Sequence, residues 1–362
     1  MWLRFVPHRT RSIVPTISHG SGETFGLNLR FILIVTVFIA NAIEPLINTM
    51  PEMKALFLWI FTFHMPLFVG VTGYFARTNL FGPNGNRILK QIALQYVLFQ
   101  SIYSVLDMTL FQVPGITHSF FVPYLLLWFL VGHAIWRLVL RSFIRWNVRY
   151  PIWIAVALGV CIGFIPIEGD WLGLSRTFVY LPFFIIGYYF PFDTLARWFA
   201  TPIRFIAASI SGILLVALFQ LHPYIDPAWL MNSFTYDQLG WEMNSLAIMM
   251  RLSIYALELL ASAAFLAWVP TRICAITDCG RRTLYVFLIH GLLIRFAEYF
   301  GLYTYIDSSI LAICLILVSV GCTIILTHRF VKTVCHPFIE PNGEAVFGWI
   351  RLQPRRRRMK HS

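Results

Sequence analysis

Ten stretches of the chain are almost continuously apolar, at about residues 27–47, 54–75, 88–106, 121–142, 151–167, 177–190, 203–220, 244–269, 284–299 and 308–327. A helix needs about 20 such residues to cross the hydrocarbon core of a bilayer. The pattern therefore predicts an all-α, polytopic integral membrane protein with about ten transmembrane helices. The fifth, sixth and ninth runs are short or interrupted. Breakers stand between the runs: Gly82-Pro83-Asn84-Gly85, Pro114-Gly115, Pro191, Pro202, Pro223, Pro227 and Pro270. No repeat or second domain interrupts the series. The division read from it is a cytoplasmic segment at 1–26, a membrane domain at 27–327 and a basic cytoplasmic tail at 328–362. The first run is too long for a cleaved signal and is expected to stay as a helix.

Composition strengthens this reading. Hydrophobic residues make up 58% of the 362 and charged ones 12%, where a soluble domain carries roughly 25% charged residues. Too few polar groups remain to cover a water-facing surface. The net charge of +12 raises nucleic acid as a partner, but most basic residues lie between apolar runs. The one dense basic run, Arg355-Arg356-Arg357-Arg358, suits anionic lipid headgroups better. Membrane lipids, not nucleic acid, are the expected partners. The six cysteines have neither zinc-ligand nor disulfide-framework spacing, so they read as small packing residues, and no metal is expected.

Lys and Arg set the orientation. With the N-terminus inside, one side takes Arg4, Arg9, Arg11, Arg77, Arg87, Lys90, Arg137, Arg141, Arg145, Arg149, Arg197, Arg204, Arg272, Arg281 and Arg282. The tail adds Arg329, Lys332, Arg351, the four arginines at 355–358 and Lys360, making 23 of the 28 basic residues. Ten spans, an inner (plasma) membrane and two cytoplasmic termini follow as expectations.

Ionisable groups inside a span cost roughly 2.5–3.5 kcal/mol each on insertion scales. Arg30, Glu44, His64, Arg251, Glu258, His290 and Arg295 are the candidates for function on that ground. Arg30 and Asn41 are close to three helical turns apart and share one face, about 16 Å along the axis. Glu44 and Asn48 continue that face, which is read either as packing or as the wall of a polar channel. In Phe63-His64-Met65-Pro66, Pro66 should kink the helix and free a carbonyl. His64, near mid-bilayer, could act as a general base or simply pack. Arg251 and Glu258 share a helix face and read as a structural ion pair. His290 follows Gly280-Arg281-Arg282-Thr283-Leu284-Tyr285.

Five stretches in order resemble the membrane-bound acyltransferase 3 family, in its fucose 4-O-acetylase-like branch. They are Arg30 to Asn41 with Ile43-Glu44-Pro45-Leu46; Phe63-His64-Met65-Pro66-Leu67-Phe68 to Thr72-Gly73-Tyr74; Leu127-Trp128-Phe129-Leu130; Leu174-Ser175-Arg176-Thr177 to Tyr189; and Gly280 to His290-Gly291. The resemblance implies transfer of an acyl group, most often acetyl, from cytoplasmic acyl-CoA as co-substrate to a hydroxyl of a cell-envelope glycan or glycolipid. It implies that Arg30, Arg77 and Arg87 bind CoA phosphates, bidentate recognition being an arginine speciality. It also implies that Trp128, Ser175, Arg176 and His290 meet the acceptor.

One departure matters. The family places a histidine where this chain has Asn41, and an amide takes no proton near neutral pH. Three readings follow. In the first, His64 is the base, Asn41 orients the thioester or stabilises the oxyanion, and Glu44 is a further base. In the second, the chain is a weak or inactive member that binds acyl-CoA or a glycan, or acts as a partner subunit. In the third, it transports a lipid or sugar along the same polar path.

Overall fold

A computed structural model of the chain describes residues 21–165, 171–190, 201–240 and 245–341. Arg4, Arg9, Arg11, Glu168, Asp170, Arg197, Glu242, Arg351, the arginines at 355–358 and Lys360 lie outside the described residues. Those described form helices and loops, with one isolated bridge, Ser119 to Val122, and no strand. The helices are α1 (Ser21–Ile43), α2 (Pro51–Phe61), α3 (His64–Ala76), α4 (Gly82–Leu106), α5 (Trp128–Arg145), α6 (Pro151–Cys161) and α7 (Leu174–Tyr189). They continue as α8 (Thr201–Leu221), α9 (Ala228–Met231), α10 (Ser245–Leu266), α11 (Ala275–Cys279), α12 (Thr283–Tyr299), α13 (Ser309–Leu326) and α14 (Arg329–Ile339).

Every apolar run of the sequence contains a helix. Among the described residues, six helical segments are long and apolar enough to span a bilayer: Gly22–Leu46, Pro51–Ala76, Leu125–Arg145, Pro202–Tyr224, Ser245–Leu266 and Ser309–Leu326. The chain is thus an all-α membrane protein. Burial sorts these spans. Those at Gly22–Leu46 and Pro51–Ala76 are 67% and 72% buried, while those at Pro202–Tyr224 and Ser309–Leu326 are 11% and 17% buried. The first two are the centre of the bundle. The last two show lipid a nearly continuous apolar face, including Ile213, Val216, Ile310 and Leu317.

Three expected boundaries shift, two of them at prolines. Pro45 lies in a 3-10 turn that ends α1 at Ile43, so Asn48 stands exposed in the following turn and the polar face stops at Glu44. The second run is two helices, broken at Thr62 and Phe63 just ahead of Pro66. The fourth run does not become helical until Leu125. Ahead of it, Gln100 of α4 holds the chain non-helical, donating to Ser119 and Val122 carbonyls and accepting from the Tyr124 N–H.

Small residues let the central helices touch. A Cβ on Gly187 of α7 would run into the Gly70 carbonyl of α3, and one on Gly73 into that of Phe184. Lipid offers no hydrophobic drive between helices, so such close backbone packing is a main source of cohesion. At the N-terminal end of α1, Asn28 donates to the Pro270 and Arg272 carbonyls at 2.8 and 3.0 Å and accepts from Thr277 at 2.6 Å. One amide thus fastens the segment before α12 to the first helix.

Candidate functional site

The break between α2 and α3 places the most informative side chain. Phe63 leaves the helical region there, with φ −134°. The carbonyl of Ile60 accepts the Phe63 N–H at 3.2 Å and lies 2.8 Å from Nδ1 of His64. A carbonyl only accepts, so Nδ1 carries the proton and the neutral ring is left with an unprotonated Nε2. The ring edge also packs on Phe61, with centroids 4.5 Å apart.

His64 borders a chamber of about 460 Å³. Asn41, Glu44, Trp128, Arg176, Tyr180 and Arg295 share its wall. Asn41 donates one amide hydrogen to the Val37 carbonyl at 2.8 Å, and its second remains for a ligand. Arg176 lies over the Trp128 ring at 5.3 Å, and Trp128 stacks on Tyr180 at 5.9 Å. Two guanidiniums, one carboxyl, one amide and one imidazole therefore meet in a space with aromatic walls. A side recess of about 280 Å³ continues from Asn41 and Glu44 to Arg295 and Glu298, which are paired at 2.6 Å.

The segment 112–124 covers this chamber, contributing Gly115, Ile116, Thr117, Val122, Pro123 and Tyr124 to its lining. It is tied down firmly. His118 meets Asp107 at 3.1 Å, Tyr124 donates to Asp107 at 2.9 Å, and Leu172 N–H donates to the Phe121 carbonyl at 2.6 Å.

A second chamber, of about 210 Å³, lies toward the N-terminal end of α1. Arg30, His133, Gln91, Gln95, Thr72 and Thr283 supply its polar groups. Arg30 also lies over Phe75 at 5.1 Å. The two chambers share Phe68, Phe129 and Phe287 in their walls. The polar path expected from Arg30 to His64 is therefore divided by three rings.

The remaining predicted residues sit apart from these chambers. Arg77 and Arg87 are exposed, with Arg77 donating to the Phe190 carbonyl at 3.3 Å. Arg87 adjoins Ile88, which lines the Arg30 chamber. Ser175 is buried and donates to the Asn232 carbonyl at 3.1 Å. His290 is fully buried against Phe38, its Nδ1 within 3.0 Å of the Val286 and Phe287 carbonyls. Arg251 and Glu258 do not touch directly. Asn232 stands between them, its Oδ1 bonded by Arg251 and its amide donating to Glu258 at 3.2 Å and to Tyr180 at 2.9 Å. Sequence reasoning passed over Asn232 and His133. His133 did carry a signal, as an ionisable residue inside the fourth apolar run.

No family model matches the chain. It is similar to the nodulation protein NolL of Sinorhizobium fredii (strain NBRC 101917 / NGR234), with 24% identity over 314 residues that cover 79% of this chain and 83% of the relative. No solved structure matches.

Proposed function

We propose that the chain is a membrane-bound O-acyltransferase that moves an acyl group, in the first place acetyl, from acyl-CoA to a hydroxyl of a cell-envelope glycan or glycolipid. In this reading it spans the inner membrane ten times with both termini in the cytoplasm. The observation that carries it is the meeting of His64, Asn41 and Glu44 with Trp128 and Arg176 around one chamber. The five sequence stretches that resemble the acyltransferase 3 family fall on these same walls or beside them, and the similarity to a nodulation protein extends over most of the chain.

The reaction follows from the tautomer. Nε2 of His64 takes the proton of the acceptor hydroxyl as its oxygen attacks the thioester carbon. The carbonyl oxygen gathers negative charge, and the remaining amide hydrogen of Asn41 is available to it. The carbon–sulfur bond then breaks, and the imidazolium returns its proton to the departing thiolate. One C–O bond forms, one C–S bond breaks, and the proton passes from hydroxyl to thiol. Arg176 over Trp128 offers a cation and an aromatic face, a pairing suited to a sugar. The nucleotide end of CoA belongs at the Arg30 end, where Arg77 and Arg87 are exposed.

His64→Ala tests this reading in a strain lacking the native gene. We expect the acetyl mass increment on envelope glycans or glycolipids to fall at least about 100-fold, the scale of a lost general base, with the protein still in the membrane. Unchanged acetylation removes His64 as the base. A wild-type protein that binds acyl-CoA without any turnover favours the binding-only reading instead.

A further inference from the structure

Two chambers that share a wall raise the question of what passes through it. The wall is made of Phe68 from α3, Phe129 from α5 and Phe287 from α12. Ring centroids lie 5.4 Å apart from Phe68 to Phe129 and 5.4 Å from Phe129 to Phe287. That spacing is ordinary aromatic contact, so the rings close the space between Arg30 and His64. Each ring is nonetheless slightly exposed, at 8%, 6% and 7%, as expected of side chains that face a void on either side.

The three rings are held unequally. Phe129 is fixed among five others, touching Trp128, His133 and Trp136 as well as its two partners. Among the described residues, Phe68 has Phe129 as its only ring contact. Rotation of Phe68 breaks one ring contact, whereas rotation of Phe129 breaks five. Phe68 is therefore the leaf and Phe129 the post.

The Arg30 chamber is built to receive something polar. Arg30, Thr72, Gln91, Gln95, His133 and Thr283 all line it, and polar side chains around a buried space favour a polar occupant. At about 210 Å³ the chamber is too small for a whole coenzyme, and takes the end of a flexible polar arm.

We propose that Phe68, Phe129 and Phe287 are the acyl-size selector of this protein, a three-ring septum through whose seam only a short acyl group passes from the Arg30–His133 chamber to His64. The inference rests on the acyltransferase reading above. With Phe68 turned, the gap beside Phe129 admits an acyl end. A long chain would have to displace the braced ring as well.

The test uses host membranes containing the full chain, supplied in parallel with acetyl-, butyryl- and octanoyl-CoA, with acylated glycans and glycolipids read by mass spectrometry. Wild type should transfer acetyl strongly and octanoyl weakly. Phe68→Ala should raise the octanoyl-to-acetyl ratio at least about tenfold, since a pocket discriminates by roughly 10–200-fold per methylene. Phe68→Leu, which keeps an apolar side chain on α3, repeats the measurement if the alanine variant does not reach the membrane. Phe68→Trp should narrow the seam and lower acetyl transfer. Acetyl transfer with an unchanged ratio in the alanine and leucine variants overturns the septum and leaves the acyltransferase reading standing. A wild type that transfers no acyl group from any donor overturns both.

Discussion

Asn232 shows how one side chain can decide the fate of several. It sits in the left-handed region at φ 59°, where asparagine is tolerated better than most residues. From there it reaches Arg251, Glu258 and Tyr180 at once. Asn232→Ala would strand a buried guanidinium and a buried carboxyl, at a cost of about 3 kcal/mol. A lower melting temperature in detergent should show it, and a melting temperature equal to wild type would mean that the cluster is fastened some other way. Because Tyr180 lines the His64 chamber, transfer activity should fall too. Nothing in the sequence singles out this asparagine, since its three partners come from distant parts of the chain. The septum is equally hidden, because 33 phenylalanines offer no local sign of which three will meet. His64 and Asn41 are legible for the opposite reason: a polar side chain inside an apolar run stands out wherever the chain later puts it.

Helices were the most readable part of the chain, because a long apolar run leaves its backbone polar groups only one another as partners. Their ends were less so. The break ahead of Pro66 follows from its missing N–H, but that the Phe63 N–H and the His64 ring both meet the Ile60 carbonyl is a matter of geometry. Helix packing can be tested through the glycines. Gly187→Leu drives a side chain into the Gly70 carbonyl, and overpacking of this kind costs about 3 kcal/mol. It should reduce the folded fraction in size-exclusion chromatography. Gly212→Leu on α8, where a Cβ meets nothing within 4 Å, is the matched control and should leave the profile unchanged. Equal profiles for both variants would show that the α3–α7 contact is not a main source of cohesion.

Across the whole molecule, the segment leading into α12 and the start of α14 are tied together near one end of the bundle. Arg282 bonds the Thr327 carbonyl, and Arg282 and Arg329 both meet Asp278, at 2.9 and 3.1 Å. These two guanidiniums hold the Asp278 carboxyl at about 2, below its ordinary 3.8. A lowered folded value means stability that is complete above about pH 4 and is lost as pH falls through about 2. Asp278 is 46% exposed, so the gain is at most about 1 kcal/mol. Asp278→Asn should therefore melt a little earlier than wild type at pH 7, with the difference gone near pH 2; a gap that persists in acid would assign it to packing instead. The partition of three phenylalanines has a consequence on this scale as well. A potential of 100 mV drives each elementary charge with about 2.3 kcal/mol, so an open aqueous bore from one end of the bundle to the other would leak ions continuously. Closed rings let polar chemistry approach from both ends while the bilayer stays electrically insulated.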